Sequence, residues 1–248
     1  MVCDALRADH VSSYGYYRDT TPFLEALVNQ SNAFQLTNFY ATTSRSALGI
    51  SNILSSQYSL SLGNFFIHDL LKKQGYAINF ILSGDHTNFY GLKDYYGGNV
   101  DMHADGYFLR VSGSAVSVND DALISTTLKE LDDYEGTPAF FYLHFMSAHQ
   151  AALVSQEHVV FEPHSRRKSA PALEMIASYD NGLMQLDSHI HNTIQVLEEK
   201  GFLDDARIVI TADRGQSLKK INQDLFWHSR TTFMSEVRIP LMMIDTEN

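Results

Sequence analysis

Apolar residues recur at a helical spacing between Tyr179 and Lys200, at Leu183, Leu186, Ile190, Ile194 and Leu197, and the stretch closes on Gly201 before the run Ile208-Val209-Ile210. A 3.6-residue period, a glycine stop and a β-branched run predict an amphipathic helix followed by a buried strand. The same pattern occurs earlier. Between Gly63 and Leu82 the chain passes Phe65, Phe66, Ile67, Leu70 and Leu71, reaches Lys72-Lys73-Gln74-Gly75 and continues as the apolar segment Tyr76 to Leu82. Lysines suit the negative end of a helix, and glycine suits the left-handed residue just past it. Thr20-Thr21-Pro22 opens a further helix through Phe23, Leu24, Leu27 and Val28, with proline in the first turn, where its missing N–H is not needed. A helix near Leu123 to Leu131 precedes the strand Phe140 to Phe145.

Met1-Val2-Cys3 reads as the end of a strand running into Asp4, and Arg238 to Asp245 as another strand near the other terminus. Strands alternating with helices predict an α/β fold with a mostly parallel central sheet and helices on both faces. The expectation is a single domain over residues 1–248, cut from a longer protein and incomplete at both ends, since both terminal strands start or stop abruptly. The longest strongly apolar run, Ala139 to Met146, is far short of the ~20 residues that cross a bilayer as a helix. No signal peptide is visible. Glu157 to Ala170 is the expected long surface loop, an excursion over a site.

Charge narrows the partners. The 248 residues carry 18 Lys+Arg against 29 Asp+Glu, a formal net charge of −11, and the basic cluster is Arg166-Arg167-Lys168. That balance argues against nucleic acid, whose binders concentrate cations on one face. A single cysteine, Cys3, excludes an internal disulfide framework and a Cys-rich zinc module.

Ligands in open α/β sheets collect at the carboxyl ends of strands, so polar residues just beyond strands are the candidates for chemistry. These are Asp4, the Thr/Ser run at 42–46, the segment His144 to His149, and Asp213 after Ile208-Val209-Ile210. Each alone has a plain reading, since an Asp at a strand end often caps a helix and a Ser/Thr run often makes a turn. Their order along the chain carries more than any one of them.

Cys3-Asp4-Ala5-Leu6-Arg7-Ala8-Asp9-His10, with Tyr14-Gly15-Tyr16 and Thr20-Thr21-Pro22 behind it, resembles the opening of the sulfatase-like branch of the alkaline phosphatase superfamily. Within that branch the likeness is to phosphoethanolamine and phosphoglycerol transferases, of the lipoteichoic acid synthase type. The family's order continues through Ala41-Thr42-Thr43-Ser44-Arg45-Ser46, Tyr142 to His149, Tyr179-Asp180-Asn181, Thr211-Ala212-Asp213-Arg214-Gly215-Gln216-Ser217, Trp227-His228 and Ile239-Pro240.

The resemblance implies a metal-dependent transferase or hydrolase acting on phospho- or sulfo-ester groups through a covalent Thr or Ser intermediate. It implies one divalent ion, zinc first and manganese or calcium as alternatives, held by Asp4, Asp213 and the nucleophile oxygen. Zinc accepts carboxylate and imidazole donors, and a metal-bound hydroxyl is a competent nucleophile near neutral pH. Thr43, with Ser46 three positions later, is the first choice of nucleophile. Counting back from Ile53-Leu54-Ser55-Ser56 places it at Ser46 instead. Aligned with formylglycine sulfatases, the chain has Ala41 at the nucleophile position, which disfavours that type. His149 and His228 resemble residues that contact the transferred group and can protonate a leaving oxygen. The implied substrate is a small anionic ester or lipid headgroup. The implied location is the periplasmic or extracellular face of the cytoplasmic membrane, with the full-length protein membrane-anchored.

One position departs from the family. Where relatives read Asp-His-Gly-Glu-Ser, this chain reads Asp213-Arg214-Gly215-Gln216-Ser217. A guanidinium has five donors and no lone pair, so Arg214 cannot ligate a metal. Placed between Asp4 and Asp213 it would neutralise both by charge-assisted hydrogen bonds. The alternative expectation is therefore a catalytically degenerate domain, without a cofactor, that binds an anionic ligand or a partner. Asp180 and Asn181 are expected to orient neighbouring groups or to cap, and Arg7, Asp9 and His10 to build the turn after Asp4.

Overall fold

The computed structural model describes residues 1–58, 65–88, 92–96, 98–106, 121–149, 152–167, 169–218 and 233–246. Its strands are β1 (Val2–Cys3), β2 (Ala33–Tyr40), β3 (Ala77–Leu82), β4 (Met102–Ala104), β5 (Ala139–Phe145), β6 (Arg207–Thr211) and β7 (Arg238–Asp245). Its helices are α1 (Pro22–Val28), α2 (Ser46–Ser55), α3 (Ile67–Lys73), α4 (Leu92–Tyr95), α5 (Ala122–Lys129), α6 (Ala172–Glu199) and α7 (Met234–Val237). The strands form one seven-stranded sheet in the order β2-β7-β6-β1-β5-β3-β4. Pairs among β6, β1, β5, β3 and β4 are parallel, while β7 runs against both β6 and β2. The fold is the mostly parallel α/β sheet expected, with one reversed strand that its apolar pattern could not orient.

Burial follows the periodicities. Along α6 the residues Leu183, Leu186, Ile190, Ile194 and Leu197 are buried with Leu24 and Leu27 of α1 and Ile124 and Leu128 of α5 in one core. On the other side Ile78, Phe80, Leu82 and Tyr142 of the sheet pack with Ile50 and Leu54 of α2 and with Leu92 and Tyr96. α6 starts at Ala172, ahead of the expected Tyr179, because Pro171 precedes it and suits a helix start. α1 has no side-chain cap of its own. Its first N–H groups, those of Phe23 and Leu24, instead donate to the Asp187 carboxylate of α6 at 2.8 and 2.9 Å.

The expected excursion over 157–170 includes a short 3₁₀ turn at Gln156–His158, and Lys168 lies outside the described residues. Arg166 turns inward, donating from Nε to Ser178 Oγ at 3.1 Å and from Nη1 to the Ala152 carbonyl. Among the described residues no helix is long and apolar enough to cross a membrane.

Candidate functional site

β1, β5 and β6 end side by side and point the same way, so the residues after Cys3, Phe145 and Thr211 share one edge of the sheet. Asp4 leaves β1 with its N–H on the Phe145 carbonyl at 2.8 Å. Ala5 follows in the left-handed region, at φ 66, and its N–H donates to Asp213 Oδ1 at 3.1 Å. Tyr179 on α6 accepts from Arg7 N at 2.9 Å and donates to the Ala5 carbonyl at 2.7 Å. Asp4 and Asp213 are thereby drawn to one point from separate strands.

Ser46, the first residue of α2, completes the group. Its hydroxyl lies 3.3 Å from Asp4 Oδ2 and accepts from Arg214 Nε at 3.0 Å. α2 approaches this closely because position 49 is glycine: a Cβ there would stand 2.5 Å from the Asp213 carbonyl oxygen. Thr43 sits in the preceding turn, with Oγ1 accepting from Arg45 N at 3.2 Å. The structure thus brings Asp4, Ser46, Asp213 and Arg214 together, and it places Thr43 in the loop leading to them.

Arg214 occupies the centre of that group and is fully buried. Nη2 donates to Asp4 Oδ1 at 2.7 Å, Nε lies 3.8 Å from Asp213 Oδ2, and Nη1 donates to Gly215 O at 2.9 Å and Gln216 Oε1 at 3.3 Å. Burial, and then the neighbouring Asp4 charge, push the Asp213 carboxyl up to about 7. A divalent ion needs lone-pair donors around an open position. Here a donor-only side chain fills that position, so the residues present do not fit a metal. Among the described residues no group of His, Cys, Asp or Glu is arranged to hold one.

His149 lies in the turn after β5. Desolvation, and then the Arg214 guanidinium, pull its imidazole down to about 3, so it is neutral near pH 7. The turn is tied on several sides: Asp121 accepts from Met146 N and Ser147 N at 2.7 and 2.8 Å, and Gln185 donates to Ser147 Oγ and Leu153 O at 3.0 and 2.9 Å. Position 182 is again glycine at a close approach, since a Cβ there would stand 2.6 Å from the Ser147 carbonyl oxygen. A small cleft beside it is lined by Ala148, Arg166, Ser178, Tyr179, Gln216 and Leu218. Trp227 and His228 lie outside the described residues.

The sequence marks His144 as the start of the candidate segment His144 to His149 without giving it a role of its own. His144 is buried on β5 with Nε2 4.0 Å from Asp4 Oδ2, and neither ring nitrogen has a hydrogen-bond partner among the described residues. Asp180 and Asn181 cap nothing, because they sit inside α6. Asp180 accepts from Tyr16 OH and Arg18 Nη1, each at 2.8 Å, and pairs with His10 Nδ1 at 2.7 Å. Asn181 Oδ1 accepts from Val160 N and Phe161 N at 2.9 and 2.8 Å, pinning the excursion loop. Arg7, bonded to Asp9 and to the Gln216 carbonyl, stiffens the turn after Asp4 as expected.

Comparison with known proteins agrees with this architecture. The C-terminal periplasmic domain of EptC from Escherichia coli, solved in complex with Zn, superposes with a TM-score of 0.80 at 16% identity, over 98% of this chain and 71% of that one. Lipooligosaccharide phosphoethanolamine transferase A of Neisseria meningitidis, an integral membrane protein, gives 0.75 at 18% identity, over 98% of this chain and 46% of that one. The lipoteichoic acid synthase LtaP of Listeria monocytogenes gives 0.73 at 18% identity, over 98% and 64%. No curated protein matches the sequence. The sequence profile of the Sulfatase family matches residues 1–248, from the first strand to the last, and the chain belongs to that family.

Proposed function

We propose that this chain is a sulfatase-family domain, one folded unit over residues 1–248, that binds a small anionic ester without metal-dependent turnover. The observation that carries the reading is Arg214: a fully buried guanidinium bonded to Asp4 and Ser46 where the family's chemistry calls for a lone-pair donor. Family membership supports a site of the hydrolase or transferase kind, and the relatives' names support phosphoester and lipid-headgroup ligands on a periplasmic or extracellular face. The donors on offer suit an anion. Arg45 is exposed at the start of α2, whose first N–H groups attract negative charge, and the Thr43 hydroxyl lies in the same turn. His149 and His228 are the further residues proposed to contact the ester, with Asp4, Ser46 and Asp213 as the scaffold beneath.

The test is titration calorimetry with phosphoethanolamine, phenyl phosphate and phenyl sulfate, in chelator and again with zinc, manganese or calcium, beside a turnover assay on aryl phosphate mono- and diesters. The expected result is binding that is indifferent to chelator and turnover no faster than background. Metal-dependent turnover lost in Thr43→Ala or Ser46→Ala would overturn this reading and establish the enzyme instead. Absence of binding to every ester would overturn it as well.

A further inference from the structure

We infer that Arg166 is the positioning residue for His149: from the neck of the excursion loop, its guanidinium holds the turn that carries that imidazole. The inference rests on the reading above, in which His149 contacts the ester, and goes past it by naming the group that fixes the ring in place.

Arg166 and Arg167, adjacent in the basic cluster, part company in the fold. Arg167 is exposed, as are Glu162, Pro163 and His164, whereas Arg166 is drawn under the loop. Burial lowers its guanidinium only to about 10, so it stays a cation near neutral pH.

The body and the neck of the loop are held differently. The body hangs on side-chain amides of α6: Ser155 N donates to Gln185 Oε1 at 2.8 Å, and Val160 N and Phe161 N donate to Asn181 Oδ1. The neck is held by Arg166. Nε donates to Ser178 Oγ at 3.1 Å, while Nη1 donates to the Ala152 carbonyl and lies 3.5 Å from the His149 carbonyl. Those two residues bound one turn, in which Ala152 N donates to the His149 carbonyl at 2.9 Å. A single side chain thus joins both ends of the loop, α6 and the His149 turn.

Gly182 lets them meet. A Cβ there would stand 2.6 Å from the Ser147 carbonyl oxygen and 3.3 Å from Arg166 Nη2. Groups packed this closely pass a displacement on to one another. A planar guanidinium reaches Ser178 and Ala152 in different directions at once, which the point charge of a lysine does not. Its charge also adds to desolvation and to Arg214 in favouring the neutral imidazole of His149. Loss of Arg166 therefore frees the turn and changes the electrostatic surroundings of the ring together.

Phosphoethanolamine binding by calorimetry, and the ring-proton NMR signals of His149 assigned with His149→Gln, would be compared in wild type, Arg166→Met, Arg166→Lys and Asn181→Ala. Arg166→Met keeps a buried apolar stem and loses the donors, whereas Asn181→Ala releases the body of the loop and leaves its neck. The expected result is a Kd raised at least about tenfold in Arg166→Met, raised less in Arg166→Lys, and within about twofold of wild type in Asn181→Ala. The His149 signals are expected to move in both Arg166 variants and to stay in place in Asn181→Ala. Should Arg166→Met unfold, Arg166→Lys decides by the same two readouts. Unmoved ring signals in the Arg166 variants, or an unchanged Kd where wild type binds, overturn the inference. Asn181→Ala as damaging as Arg166→Met overturns it too, because the loop as a whole would then hold the site. If wild type binds no ester, the proposed function falls, and the ring signals alone uphold or overturn the place given to Arg166.

Discussion

Tyr179 shows how much of this site depends on a hydroxyl that touches no ligand. It accepts from Arg7 N and donates to the Ala5 carbonyl, at 2.9 and 2.7 Å, across a turn in which Ala5 stands at φ 66. A left-handed alanine is strained by roughly 1–2 kcal/mol and persists only where its surroundings hold it. Tyr179→Phe leaves a buried N–H and a buried C=O without their partner, so a loss of about 2–4 kcal/mol is expected in urea unfolding. A loss well below that range would mean that the turn after Asp4 holds without Tyr179. The Tyr179-Asp180-Asn181 motif was legible in the sequence, but its work was not. Each of these side chains reaches a segment far away in the chain, the first turn, the 10–18 segment and the 160–161 loop. No local spacing reports such partners.

At the scale of elements, the site exists because two helices approach strand ends more closely than a side chain would allow. Glycine inside a helix ordinarily weakens it by about 1 kcal/mol relative to alanine, so Gly→Ala usually stabilises. At position 49 the sign reverses, since a Cβ would stand 2.5 Å from a backbone oxygen that cannot move aside. Gly49→Ala is expected to lower stability by about 1–3 kcal/mol in thermal or denaturant unfolding. A stabilised variant would show that α2 does not press on Asp213. α6, β3, β5, β6 and β7 were legible because long periods or solid apolar runs mark them. α2 and β2 were not. The apolar residues of α2, Ala47, Ile50, Ile53 and Leu54, are interleaved with small and polar ones. β2 lies at the sheet edge with mixed exposure, so it lacks the alternation of a strand with one buried face. Asp4 and Asp213 could be picked out as candidates despite that gap because each directly follows a strand that was legible. The choice between Thr43 and Ser46 could not be narrowed in the same way, since it depends on where α2 begins.

For the whole molecule, buried titratable groups away from the site set opposing slopes of stability against pH. Desolvation is the first cause lowering His10 and His68 below their ordinary 6.5. The unfolded chain therefore takes up protons below about pH 6.5 that the native state refuses, and stability falls toward acid by up to ~1.4 kcal/mol per pH unit for each histidine. Asp187 acts the other way. Burial pushes its carboxyl up from 3.8 to about 6, against the opposing pull of the Leu24 and Phe23 N–H groups that it caps. Between about pH 4 and 6 the native state keeps a proton that the unfolded chain has lost, so this group's ionisation subtracts from stability as pH rises and by neutrality has done so by ~3 kcal/mol. Asp187→Asn removes that dependence while giving up one of the two acceptors for α1, a fixed loss of about 1 kcal/mol. Measured by urea unfolding from about pH 7.5 to 4.5, the variant is expected to lose ground to wild type steadily as the solution is acidified, its acid-side decline steepened because the histidine slope is no longer opposed. A stability difference between the two proteins that stays constant across that range would mean that Asp187 ionises as freely in the fold as outside it, and that the cap on α1 is held by an ordinary carboxylate.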